Sequence, residues 1–295
     1  MAPGVFSFIN CKGGVGKTAV SVNVAAILAH SRFGQRVLLL DMDPQCSATK
    51  WVMGDAECVE RMDNENHKTV YQLFHDAAYG TDSFDFDEAV LKTPKAVRGT
   101  SINLNLLPGS RNLRNVEDML WQRAVNLSYP VTQILIKKLR PYLSNYDIVI
   151  VDCPPNTFRV TQNALAMSTH VLVPVMPDSL SLSGFEDLVR SLYDLGGSVG
   201  KGRAVPIAGI IVNQFRRNLI ECVQGMAQVS VSLMNLKNQG RISPSCRIFR
   251  SPIPISTACP TAARACRPVF LLKGEGPEAL GKGYYGVAKE LLELI

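Results

Sequence analysis

Three carboxylates, two lysines and a run of glycines stand at spacings that suit phosphate chemistry. The segment Gly13-Gly14-Val15-Gly16-Lys17-Thr18-Ala19 follows directly on Lys12. Glycines let consecutive backbone N–H groups turn toward an anion with no Cβ in the way. Lys17 is spaced to reach β- and γ-phosphates, and Thr18 to offer its hydroxyl to Mg²⁺. Asp41 and Asp43, two residues apart, and Asp152 could address a magnesium ion and a water at the same phosphates. Each also has a plainer reading. Lys12 alone suits a solvated loop, Asp41 or Asp43 could cap a helix at Pro44, and any buried strand can end in an Asp.

Such residues work together only if strands and helices deliver them to one place. Val5 to Ile9 is a short apolar, β-branched and aromatic run, patterned as a buried strand. Beyond the glycines, Val20, Val22, Val24, Ala25, Ile27 and Leu28 have helical spacing. Strand, glycine loop and helix in that order form the setting in which a loop binds phosphate, the helix adding its positive dipole end. Arg36 to Asp41 and Ile148 to Asp152 are further buried strands, each ending in an acid; the second has the Walker B pattern. Strands are also expected at 102–107, 170–175, 207–212 (ending at Asn213) and 247–250. Helices are expected at 69–79, 113–124, 131–143, 181–195, 219–237 and 277–295, with the rest of 53–88 acidic and irregular. The pattern predicts an α/β fold: a mostly parallel twisted sheet with helices on both faces. No repeat or linker divides the chain, so residues 1–295 read as one domain. A parallel sheet brings Lys12, Lys17, Thr18, Asp41, Asp43, Asp152 and Asn213 to its carboxyl edge. The glycines from Gly196 to Gly202 look like a second phosphate loop, but they follow a helix and put Gly202 where Ser or Thr is required; they read as a helix stop.

Composition narrows the classes. No apolar run approaches the ~18 residues of a membrane span. The N-terminus lacks the basic-then-apolar pattern of a signal peptide, so a cytoplasmic location is expected. Eight cysteines without a C-x-x-C pair support neither a zinc site nor a redox pair. Cys11 and Cys153 would lie beside bound phosphate, as reactive thiols or simply as small apolar residues. His170 opens a strand and reads as structural. The net charge of +6 is unevenly spread: residues 196–273 hold eleven Lys and Arg against the single acid Glu221, leaving the remainder at −4. A basic third on a mildly acidic body points to a polyanionic partner.

The wording of three motifs adds a resemblance. K-G-G-V-G-K-T at 12–18 resembles the deviant Walker A motif of the ParA/MinD family of ATPases, D-M-D-P-Q at 41–45 its Walker A′ segment, and D-C-P-P at 152–155 its Walker B region. The chain looks closest to ParA-type partition ATPases without an N-terminal helix-turn-helix. The resemblance implies ATP and Mg²⁺ as cofactors and a homodimer formed with ATP. Lys12 would cross to the partner's nucleotide, Asp43 would orient the attacking water, and Thr18, Asp41 and Asp152 would serve the magnesium. Asn213 would hydrogen-bond adenine, unless it is only a turn-forming Asn. By position, Arg217 and Arg250, then Arg216, Arg241 and Arg247, are the candidates for non-specific contact with double-stranded DNA; each is otherwise a solvated charge. A cargo-bound protein of the ParB type would stimulate hydrolysis, on a nucleoid-associated ATPase that partitions a plasmid or chromosome. A protein cargo, such as a chemoreceptor cluster or a carboxysome, is the alternative. A MinD-like membrane ATPase would end in a basic amphipathic helix, whereas Lys289 here faces Glu290 and Glu293. An iron–sulfur reductase would need a cysteine where Arg159 stands.

Overall fold

Each apolar run that ends at a candidate residue is a strand of one sheet. The computed structural model describes residues 2–64, 68–92, 94–123, 127–197, 205–216 and 218–295. Its strands are β1 (Gly4–Phe8), β2 (Val37–Asp41), β3 (Leu104–Leu107), β4 (Ile148–Asp152), β5 (His170–Val175), β6 (Ile207–Val212) and β7 (Arg247–Ile248). They lie in the order β3-β2-β4-β1-β5-β6-β7, and every pairing is parallel. The fold is therefore α/β, with helices on both faces of the sheet.

Two-sided coverage explains why these strands are continuously apolar rather than alternating. In β4, Val149 and Val151 face one core while Ile148 and Ile150 face the other, and all four are fully buried. The first core holds α4 (Tyr71–Tyr79), α7 (Ile134–Leu143), α8 (Arg159–Met167), α9 (Ser179–Leu195) and α10 (Ile220–Asn238). The second holds α1 (Lys17–Ala29), α2 (Ser47–Met53), α11 (Ala258–Arg264) and α12 (Glu275–Leu292). α12 packs on α1 and buries Leu280, Tyr284, Val287, Ala288 and Leu291, so its apolar stripe is used inside the molecule. Among the described residues no helix is long and apolar enough to cross a membrane.

Several expectations need adjustment. The stretch taken as irregular after residue 53 contains α3 (Asp55–Asn64) and, after α4, the short α5 (Phe86–Ala89). A high density of acids had hidden α3, although Asp55 and Glu57 suit a helix N-terminus. The helix expected from Leu113 begins as a 3₁₀ turn at 111–115 and becomes α6 (Val116–Arg123). That expected over 131–143 likewise opens with a 3₁₀ turn before α7. α12 ends at Leu292, short of Ile295. Neither α8 nor α11 was anticipated. Most of the second glycine-rich stretch, residues 198–202, lies outside the described residues. His170 is structural as read: it stacks on Phe6 at 4.8 Å, and burial lowers its pKa.

Candidate active site at the carboxyl ends of the strands

The glycine loop leaves β1 after Phe8 and is shaped by a clip at Asn10. This buried side chain donates from Nδ2 to the Pro174 carbonyl (2.8 Å) and accepts from the Lys12 backbone N–H at Oδ1 (2.9 Å). Gly14 and Gly16 take left-handed φ values of 78° and 84°. At Gly16 glycine is doubly required, because a Cβ would also collide with Asn213 Nδ2. α1 then starts at Lys17 with no side-chain cap, so its first N–H groups remain available to an anion.

Two amides beyond β6 hold the loop from the far side. Asn213 Nδ2 donates to the Val15 carbonyl (2.8 Å), and Gln214 Nε2 donates to that of Gly14 (2.6 Å). Gln214 adopts φ 55°, a conformation that non-glycine residues take mainly where function or tertiary contact demands it. Asn213 was expected to hydrogen-bond adenine, and here its amide N–H goes to the loop; Gln214 carried no signal in the sequence. Asn213 also lines a cavity of about 220 Å³ with Gly16, Ala19, Ile255, Ser256 and Tyr284, the place where a base could lie beside the loop.

The carboxylates meet as the parallel sheet requires. Asp41 and Asp152 are register partners at the ends of β2 and β4. Asp152 Oδ2 accepts the Thr18 hydroxyl (2.7 Å), while its Oδ1 is buried with no partner. Burial, reinforced by the charge of Asp41, pushes the Asp152 carboxyl up to about 8. A buried oxygen without a donor, beside a hydroxyl and the nearly buried Lys17, fits a cation that carries its remaining ligands on phosphate and water. Among the described residues no cluster of three His, Cys, Asp or Glu side chains offers a closed metal cage.

Asp41 is differently engaged. Its Oδ2 accepts from Thr49 N (2.8 Å) and Thr49 Oγ1 (2.7 Å), and its Oδ1 accepts from Asp43 N (3.1 Å). Thr49 Oγ1 in turn accepts from Gly109 N (2.9 Å). Burial raises the Asp41 carboxyl to about 6 against the pull of these hydrogen bonds. Both Asp41 oxygens thus accept hydrogen bonds that order α2 and the Asp43 backbone. Thr49 carried no signal in the sequence. Asp43 sits at the mouth of the site with 9% exposure, and its Oδ1 accepts from Gln45 N (2.8 Å).

Lys12 extends from the opposite flank and pairs with Asp178 at 3.2 Å, in the turn after β5. Cys11 is exposed, whereas Cys153 is fully buried with its thiol raised by burial, so the latter is an inert core residue.

The candidate DNA contacts divide. Arg216 is exposed, Arg241 is half-buried, and Arg217 lies outside the described residues. Arg247 and Arg250 are not free cations. Arg247 pairs with Glu293 (2.8 Å), and Arg250 with Glu290 (3.3 Å) and Glu293 (2.7 Å), all onto the C-terminal end of the chain at α12. Glu290 also accepts from the backbone N–H groups of Arg250 and Ser251. The acids at the chain's end therefore neutralise part of the basic third, which the linear charge count could not reveal.

Comparison with known proteins agrees with this fold. A family model described as an AAA domain matches residues 4–199. The chain is 35% identical over 188 residues to the sporulation initiation inhibitor protein Soj of Bacillus subtilis, covering 64% of each chain. It is 30% identical over 217 residues to the chromosome partitioning protein ParA of Caulobacter vibrioides, covering 72% of this chain and 71% of that one. It thus spans a little under two thirds of the length of Soj. Among solved structures, an ATP complex of a Cyanothece McdA variant superposes with a TM-score of 0.71 at 19% identity, over 99% of this chain and 97% of that one. At that identity the likeness is one of fold.

Proposed function

Because the chain belongs to the ParA/MinD family of P-loop ATPases, we propose that it binds ATP with Mg²⁺, dimerises around it, binds DNA and hydrolyses the ATP to position a cargo. The observation that carries this reading is Asp152, which accepts from Thr18 and keeps one buried oxygen unpartnered beside Lys17. In the proposed complex the loop from Gly13 to Thr18 holds the phosphates with its backbone N–H groups, and Lys17 neutralises their charge. Asn213, Ala19 and Gly16 border the base. Thr18 and Asp152 would hold a magnesium ion, which would supply charge neutralisation at the phosphates. Asp41 acts on that shell through the Asp43 backbone it holds. Asp43 accepts a hydrogen bond from the attacking water and so orients it in line. Lys12 crosses to the second protomer's nucleotide, which makes ATP part of the interface and couples dimerisation to nucleotide.

A dimer carries two copies of every cation, so contact with DNA phosphates strengthens steeply on association. Arg216, Arg217 and Arg241 are the first candidates, with Arg247 and Arg250 contributing when DNA competes with Glu290 and Glu293. Such an ATPase is nucleoid-associated. A cargo-bound ParB-type protein stimulates its otherwise weak hydrolysis, and a plasmid, a chromosome or a protein cluster are all served by the same cycle. The apolar stripe of α12 is buried inside the molecule, so this helix does not offer it to a membrane.

The test is binding to random-sequence duplex DNA with ATP, ADP or no nucleotide across a salt series, with Asp43→Ala and Arg250→Ala beside the parent. Binding that requires ATP, survives Asp43→Ala and falls steeply with salt supports the reading. ATP-dependent dimers that ignore DNA would redirect the basic third to another polyanion or a protein.

A further inference from the structure

We infer that Asp178 is a positioning residue for Lys12: it holds the lysine within its own protomer and sets how much nucleotide is needed before two protomers associate. This rests on the functional reading above. Lys12 Nζ lies 3.2 Å from Asp178 Oδ1, with the two side chains 32% and 38% exposed, so the pair is formed yet breakable.

The surroundings leave the choice to the lysine side chain. Its backbone N–H is fixed on Asn10 Oδ1, and Asn10 is itself tied to the Pro174 carbonyl, four residues before Asp178. The turn that bears Asp178 is equally fixed. Asp178 N donates to the Met176 carbonyl (2.9 Å), and Gly225 of α10 packs so closely on Pro177 that a Cβ there would lie 2.6 Å from the Pro177 carbonyl carbon. The carboxylate is therefore placed before any partner arrives. To reach phosphate across an interface the ammonium must leave it, and two such pairs break for each dimer formed. Each half-exposed pair contributes a factor of about two to five. Removing both should tighten nucleotide-dependent dimerisation about four- to twenty-five-fold.

The experiment is sedimentation of the full chain against concentration of a non-hydrolysable ATP analogue, for the parent, Asp178→Asn, Asp178→Ala and Asp178→Glu. Analogue affinity of the monomer and urea stability are measured alongside. Dimerisation at lower analogue concentration in Asp178→Asn and Asp178→Ala, with unchanged monomer affinity and return to the parent threshold in Asp178→Glu, is the expected result. In a Lys12→Ala background the shift caused by Asp178→Asn should shrink, because part of it is carried through the lysine. A parent that dimerises and an Asp178→Asn variant with the same or a weaker threshold overturns the inference alone. A parent that binds the analogue and stays monomeric overturns the functional reading, and the inference with it.

Discussion

Thr18 and Asp152 lie 134 residues apart and meet in a 2.7 Å hydrogen bond that uses only one carboxylate oxygen. The second oxygen, buried and without a donor, is the fold's clearest pointer to a cation. Replacing Asp152 by Asn keeps the size and offers an amide to that position instead of charge. The magnesium-dependent part of ATP binding should fall about ten- to a hundredfold, as it does when groups ordering a metal are changed. Titrating Mg²⁺ against a fluorescent ATP analogue checks this; an unchanged magnesium midpoint would place the metal elsewhere.

Gly16→Ala should be more damaging than its single methyl group suggests. The left-handed φ of 84° and the collision with Asn213 Nδ2 add up at one position. A strain of this kind costs about 1–3 kcal/mol, so ATP affinity should drop about five- to a hundredfold. Calorimetric titration with ATP reads it out, and Gly80→Ala, whose φ is 68° with open space around it, serves as the control for strain without collision.

Glu293→Gln tests the arginines from the other side. Glu293 accepts from Arg247 and Arg250 but is itself partly exposed, so its amide should leave the fold intact. If those arginines face DNA, ATP-dependent affinity rises and the slope against salt steepens by about one phosphate contact per freed charge. An unchanged slope removes Arg247 and Arg250 from the DNA surface.

Asp76 gives a pH prediction away from the site. Burial alone pushes its carboxyl up, but donors from Thr81, Gln72, Ser83 and the Phe84 backbone outweigh that and hold it below the ordinary range. A depressed carboxyl stabilises the fold above the unfolded value near pH ~4, and that stabilisation is lost as pH falls through the lower folded value. Asp76→Ala should therefore cost about 1–3 kcal/mol at neutral pH. The gap from the parent in urea melts should narrow toward pH ~3.

What the sequence made legible was everything that depends on one strand and the few residues after it. Asp41, Asp152 and Asn213 could be placed because each ends an apolar run, and a parallel sheet leaves such ends at a single edge. Partners brought in from elsewhere stayed hidden. Thr49 occupies both an oxygen of Asp41 and the Gly109 amide, yet nothing local distinguishes it from any helix threonine. The partners of Asp178 and Glu290 could not be read in advance, because a linear charge count has no knowledge of which lysine or arginine lies across the fold. α3 was missed for a related reason: its acids resemble a loop until the chain is seen to pack Cys58 beneath them.

The parallel register that unites Asp41 with Asp152 also has a kinetic meaning. It joins residues 111 positions apart, and the Asn213–Val15 hydrogen bond spans 198. Closing loops of that length costs chain entropy before any contact repays it, so folding should be slow and late-committing. No fragment of the chain would own a working phosphate cradle. A nascent or partly unfolded molecule is in consequence blind to ATP, and ligand can stabilise only chains that have already zipped the whole sheet.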